Sequence, residues 1–187
     1  MDIGKTAPNF SLKDKDGVVH TLSELPDSHI CLFFYPKDNT PGCTLEAKEF
    51  TAELTKFKKQ GCLVIGISGG DEKSKQKFCR SNALDVLLLS DPDFKTAKAY
   101  KTFGEKKFMG RVYNGIFRKT FILGPDRKIV KVFEEVKPEG HAAEVLKFLG
   151  SADKGEKLPT AKPLKKVASK TTKSTPKRKA APRKSTR

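Results

Sequence analysis

Two kinds of hydrophobic spacing alternate along the first 150 residues. Ile30-Cys31-Leu32-Phe33-Phe34-Tyr35 is an unbroken apolar run of strand length, which predicts a strand buried on both faces of a sheet. After Cys43, apolar residues fall at Ala47, Phe50, Leu54 and Phe57, the spacing of an amphipathic helix that ends near Gly61. The local order is therefore strand, Pro41-Gly42 turn, cysteine, helix. Further strands are predicted near 62–68, 86–89, 117–123 and 128–134, and helices near 43–60, 71–82, 95–101 and 139–149. The last helix carries Ala142, Val145, Leu146 and Leu149 on one face, with Gly150 read as its C-terminal cap. Phe10-Ser11-Leu12 and Val18-Val19-His20-Thr21 flank Asp16-Gly17, a hairpin signal. Strands that alternate with helices and then pair with each other predict an α/β sandwich, with a mixed central sheet between helices.

Composition changes the picture beyond Gly150. Residues 151–187 hold 13 Lys or Arg, 2 acids and no aromatic residue, so this segment carries +11 of the formal +16. A stretch of Pro, Ser, Thr, Ala and Lys cannot bury a core, so two units are expected: a folded domain over 1–150 and a disordered basic tail over 151–187. Residues 1–20 lack the charged-then-apolar layout of a signal peptide, and no apolar run approaches membrane-spanning length.

The four cysteines are spaced by 12, 19 and 17 residues with no Cys-x-x-Cys. That spacing suits a reducing compartment rather than a disulfide scaffold or a thioredoxin-type reductase. His20, His29 and His141 add no ligand spacing, so neither a metal nor another cofactor is expected. Cys31 lies within the buried strand and Cys62 begins the run Cys62-Leu63-Val64-Ile65-Gly66-Ile67, so both read as core thiols. Cys43 differs from them. Amide groups and the helix dipole at a helix N-terminus favour an anion, and the carboxyl end of a strand is where open α/β sheets place their sites, so Cys43 is the candidate nucleophile.

Pro36, Thr40 and Cys43 form a Pro-x-x-x-Thr-x-x-Cys pattern that resembles the signature of peroxiredoxins. The run from Phe33 to Ala47 is similar to the peroxiredoxin Q, or bacterioferritin comigratory protein, subfamily. Ala7 to Leu12, Gly104 to Gly110, and Gly115 to Leu123 resemble further blocks of that subfamily, the last containing Arg118. The resemblance covers roughly residues 1–150 and implies a thioredoxin-like fold, a thiol-dependent peroxidase and a monomer.

It also implies roles for individual residues. Attack on an O–O bond needs an activated thiolate, donors that align the peroxide, and a charge opposite the developing oxyanion. Cys43 would be the peroxidatic sulfur, Thr40 would supply a hydroxyl, Arg118 a cation with several donors, and Pro36 would shield the thiolate, while Glu46 would orient Arg118. Many members carry a resolving cysteine five residues after the peroxidatic one, where this chain has Lys48. Another subset resolves through a cysteine in the following helix, which points to Cys79 and a Cys43–Cys79 disulfide. A disulfide needs Cα atoms within about 7 Å, so that pairing implies local unwinding during turnover. A one-cysteine mechanism, with an external thiol attacking the sulfenic acid, is the competing expectation. Thioredoxin or a similar dithiol would complete the cycle.

Lys177-Arg178-Lys179 and Arg183-Lys184 in the tail resemble nuclear-import signals and the tails of linker histones. They imply nuclear import and sequence-independent nucleic-acid association, with cytoplasmic residence as the alternative and no membrane role. A chromatin-associated redox sensor, or a DNA-binding protein with a one-cysteine or inactive domain, is the second functional class.

Overall fold

Ile30, Cys31, Leu32, Phe33, Phe34 and Tyr35 are each 0% exposed, and the molecule is built outward from the strand they form. The computed structural model describes residues 1–26, 29–108 and 110–152. In chain order the elements are β1 (Ser11–Lys13), β2 (Val19–Thr21), β3 (His29–Phe34), α1 (Pro41–Lys59), β4 (Cys62–Ser68), α2 (Glu72–Asn82) and β5 (Leu87–Ser90). There follow α3 (Lys95–Ala99), β6 (Phe103–Phe108), β7 (Arg111–Ile116), β8 (Lys119–Leu123), β9 (Ile129–Phe133) and α4 (His141–Ala152).

Seven strands form one sheet in the order β2-β1-β5-β4-β3-β8-β9. β3, β4 and β5 run parallel, joined by crossovers through α1 and α2, while β8 pairs antiparallel with β3 in the register Phe34↔Lys119. Side chains alternate across a strand, so β3 feeds two cores. Cys31, Phe33 and Tyr35 pack with Ala47, Phe50 and Phe57 of α1, Phe78 of α2 and Val145 of α4. Ile30, Leu32 and Phe34 pack on the opposite face with Phe10, Leu22, Ala97, Tyr100 and Phe121. Gly66 of β4 is the close-approach point of the first core, since a Cβ there would lie 2.5 Å from Phe33 Cζ and 2.6 Å from Leu88 Cδ2.

The α/β sandwich and the β1–β2 hairpin stand as expected, with Leu12 opposite His20. Two features differ. β6 and β7 form a separate two-stranded sheet with no counterpart in the sequence-based strands. Gly150 does not cap α4, which continues through it to Ala152. The rest of the expected tail, from 153 on, lies outside the described residues. Among the described residues no helix is long and apolar enough to cross a membrane.

Candidate active site

The parallel strands end at one edge of the sheet, and the chain leaves β3 through residues 35–40 into α1. Tyr35 extends the ladder by one bond, its N–H donating to Ile67 O at 3.2 Å. Thr40 occupies the N-cap position in extended conformation, and Pro41 begins the helix, where its fixed φ suits the first turn and its missing N–H costs nothing. Thr40 Oγ1 donates to Lys37 O at 3.1 Å and does not cap the helix. Its proton is thus committed, and its lone pairs are what it offers to an incoming O–H.

Cys43 lies in that first turn, 2% exposed. Arg118, between β7 and β8, reaches it across the site: Nη2 donates to Cys43 Sγ at 3.2 Å while Nη1 bonds to Glu46 Oε2. One guanidinium therefore ties sulfur and carboxylate together, and its planar fork allows both contacts at once. Glu46 is fully buried one turn along α1, and burial, opposed by Arg118, pushes its carboxyl up to about 7. Its Oε1 has no hydrogen-bond partner. Behind it, His141 Nε2 bonds to Thr120 Oγ1 at 2.8 Å and pins β8 to α4, and burial holds the imidazole below its ordinary value.

Gly42 sits where space is tight rather than where the backbone turns left-handed. A Cβ there would stand 3.2 Å from Pro138 Cγ and 3.5 Å from Arg118 Nη2. Pro36 is half-buried at the start of the loop. Lys106, on β6, is a second cation of the site: its Nζ donates to Ile116 O at 3.0 Å and stands 5.5 Å from the Phe117 ring centre. Burial, then the charge of Arg118, holds its ammonium below the usual lysine value, and Cys43 opposes that shift. Pro138 and Lys106 are absent from the sequence-based site. Their distance along the chain hides both, although Lys106 lies within the Gly104 to Gly110 block quoted above.

Cys79 is on the inward face of α2, 7% exposed, at the edge of a depression of about 350 Å3 lined also by Lys15, Asp16, Gln76 and Arg80. Burial pushes its thiol up, so it is a poor nucleophile where it sits. All four cysteines are unbonded. Burial also raises Cys31 well above the ordinary thiol value and pushes Cys62 up to about 12, which suits the inert core thiols expected of them.

The loop before Cys43 and the helix of Cys79 are joined by a charge pair that sequence reasoning missed. Lys75 Nζ of α2 is fully buried and donates to Asp38 Oδ2 at 2.9 Å, to Asp38 Oδ1 at 3.1 Å and to Ser68 Oγ at 2.6 Å. Asp38 also accepts from Tyr35 Oη at 2.7 Å, Ser68 Oγ at 3.2 Å and Ser74 Oγ at 2.5 Å. Burial pushes Asp38 up, but Lys75 and the hydroxyls outweigh it and hold the carboxyl below its ordinary value. For Lys75 burial wins, and its ammonium is held below the usual value against the pull of Asp38. Lys75 shares one helix face with Phe78 and Cys79, whereas Lys73 and Lys77 are exposed.

The structure thus brings Cys43, Glu46 and Arg118 into direct contact, sets Thr40 and Pro36 in the loop before them, and places Cys79 on the next helix. Lys177, Arg178, Lys179, Arg183 and Lys184 lie outside the described residues.

Comparison with known proteins follows the same outline. Residues 3–132 match the profile of the AhpC/TSA family. The chain is 45% identical over 149 residues to a putative peroxiredoxin bcp of Helicobacter pylori, spanning 80% of this chain and 98% of that protein. It is 38% identical over 149 residues to peroxiredoxin Bcp of Escherichia coli, spanning 80% of this chain and 96% of that one. Among solved structures, a cysteine-to-serine variant of Xylella fastidiosa PrxQ superposes with a TM-score of 0.76 at 36% identity, covering 81% of this chain and 97% of that chain. Bacterioferritin comigratory protein of Xanthomonas campestris superposes with a TM-score of 0.75 at 33% identity, covering 81% and 99%.

Proposed function

The chain belongs to the AhpC/TSA family and is a peroxidase of its Bcp/peroxiredoxin Q branch, and from that premise we propose that Cys43 is its peroxidatic sulfur. The observation that carries this reading is the Arg118 fork, which places one end on Cys43 Sγ and the other on buried Glu46. The Cys43 thiolate attacks one oxygen of a hydroperoxide ROOH. The S–O bond forms as the O–O bond breaks, sulfur becomes sulfenic acid, and the alkoxide takes a proton and leaves as ROH. Arg118 steadies the negative charge as it moves from sulfur to oxygen, and Thr40 accepts from the peroxide O–H to hold it in line. Hydrogen peroxide and small organic hydroperoxides are the substrates. The Xanthomonas campestris relative has been studied for alkyl peroxide reduction, which favours including the organic ones.

Cys79 is the resolving cysteine. Its thiolate attacks Cys43 sulfur, the S–S bond forms, and hydroxide leaves and is protonated to water. A dithiol of thioredoxin type then returns both thiols to the reduced state. Xanthomonas campestris peroxiredoxin Q has been solved with serine replacing each of two cysteines 36 positions apart, the same separation as Cys43 and Cys79 here. Both thiols are buried on different helices, so each turn of α1 and α2 that carries one must open for them to meet. The protein acts as a monomer, and its basic tail, with Lys177, Arg178, Lys179, Arg183 and Lys184, serves nuclear import and loose phosphate contact.

Peroxide consumption with thioredoxin as reductant tests the scheme. Cys43→Ser abolishes turnover, and Cys79→Ser abolishes thioredoxin-driven turnover while leaving a single peroxide-dependent oxidation at Cys43. Full turnover in Cys79→Ser would replace the two-cysteine scheme with the one-cysteine one, and turnover in Cys43→Ser would end the reading.

A further inference from the structure

The loop that carries Cys43 and the helix that carries Cys79 are fastened to each other at two places. Asn82 Nδ2, at the end of α2, donates to Asn39 Oδ1 at 3.3 Å. Deeper in, Asp38 of the loop and Lys75 of α2 form an ion pair with side chains 3% and 0% exposed. Tyr35, Ser68 and Ser74 complete the hydrogen bonding around it, and the Lys75 ammonium stands 5.5 Å from the Tyr35 ring centre. No room is left for a side chain beside the pair, since a Cβ at Gly70 would run into Asp38 Oδ2. Lys75 lies one helical turn before Cys79, and Asp38 five residues before Cys43.

We infer that the buried Asp38–Lys75 pair couples the opening of the loop before Cys43 to the opening of α2 around Cys79, so that neither segment leaves its seat alone. The argument is the asymmetry of buried charge. If the loop opens by itself, Asp38 reaches water but Lys75 stays behind with only the Ser68 hydroxyl and an aromatic face. If α2 opens by itself, the Asp38 carboxylate is stranded instead. Removing one partner of a buried pair is costly, whereas losing both together restores hydration to each. The pair therefore penalises each separate opening and spares the joint one. Its catalytic meaning rests on Cys79 being the resolving cysteine: a joint opening presents both sulfurs at once, while the closed state keeps Cys43 beside Arg118 for the peroxide. Asp38 and Lys75 are positioning residues in that sense, and neither touches the peroxide.

The four cysteines supply the test. In a Cys43→Ser background, Cys79 alkylation by iodoacetamide reports opening of α2, and Cys31 and Cys62, deep in the core, report global unfolding. Asp38→Asn lies outside α2, yet it raises Cys79 alkylation about tenfold or more while Cys31 and Cys62 stay protected. Lys75→Met does the same. The Asp38→Asn/Lys75→Met double variant strands no charge, folds, and alkylates Cys79 more slowly than either single variant, a non-additivity that loss of packing alone does not produce. Unchanged Cys79 labelling in Asp38→Asn overturns the coupling, as does a double variant faster than both singles, or labelling of Cys31 and Cys62 in step with Cys79. Peroxide treatment of the unsubstituted chain separates the two readings: absence of a Cys43–Cys79 linkage removes the resolving role, while the alkylation order alone decides the coupling.

Discussion

Replacing Glu46 with glutamine removes the buried carboxyl that Arg118 holds, and the consequence for stability can be worked out with its sign. Burial raises this group from 4.5 to about 7 in the folded protein, against the opposing charge of Arg118. A carboxyl with a raised folded value binds its proton more tightly in the folded state. Its contribution is therefore fully present below about 4.5 and is lost as pH rises through 7. At 1.36 kcal/mol per unit, that displacement is worth about 3 kcal/mol across the window. His141 works the other way over part of the same range, because burial lowers its value and its contribution is lost as pH falls below 6.5. The slope of the unsubstituted protein alone is thus ambiguous, and the difference from Glu46→Gln isolates the carboxyl. Urea unfolding at several pH values between 4.5 and 7.5 supplies the assay. With an m-value of about 2 kcal/mol/M, the unsubstituted protein gains more than ~1 M in midpoint relative to Glu46→Gln as pH falls through the window. A pH-independent difference would mean that Arg118 keeps Glu46 ionised throughout, and the reasoning about its burial would be refuted.

Three further outcomes follow from the same geometry, and a fourth tests the role proposed for the basic tail. Arg118→Met lowers kcat/KM for hydrogen peroxide by roughly 100- to 1,000-fold, and Arg118→Lys recovers little of it because a point charge cannot serve Cys43 and Glu46 together; competition kinetics read both. Gly42→Ala, whose methyl must shift Pro138 by a few tenths of an ångström and would touch Arg118, lowers kcat/KM by about threefold to tenfold with an unfolding midpoint near that of the parent. Gly66→Ala places a methyl against Phe33 and Leu88 and costs about 1–3 kcal/mol in chemical denaturation. Deletion of 153–187 leaves peroxide turnover unchanged and abolishes DNA retention, for which about eight phosphate contacts give a slope of roughly −7 in log affinity against log salt; a tail-free protein that still binds DNA or still enters nuclei contradicts the role given to the tail.

The central strand, the first helix and the cysteine between them were legible because their signals are local. Ile30 to Tyr35 is too uniformly apolar to lie anywhere but between two layers, and Ala47, Phe50, Leu54 and Phe57 leave α1 one inward face. The β6–β7 ribbon was not legible, because it pairs only with itself and four of the six β7 residues are exposed, which leaves no alternation to read. Lys75 was hidden for a different reason. Asp71-Glu72-Lys73-Ser74-Lys75-Gln76-Lys77 has the composition of a solvated face, and only the partnership with Asp38, 37 residues away, makes burial of that ammonium tolerable. The end of α4 was misplaced because Gly150 is a cap only where the chain turns left-handed, and here the chain continues as helix. Arg118 was found through resemblance to a family block, since an isolated arginine before a strand carries no signal of its own.

The most direct test of the account is the identity of the sulfur that peroxide oxidises. Reduced protein is treated with one equivalent of hydrogen peroxide in the presence of dimedone, and its peptides are mapped by mass spectrometry without reduction. The account predicts a dimedone adduct on Cys43 in the Cys79→Ser variant, and a Cys43–Cys79 linkage in the unsubstituted chain. An adduct on Cys31, Cys62 or Cys79 with Cys43 unmodified would contradict it.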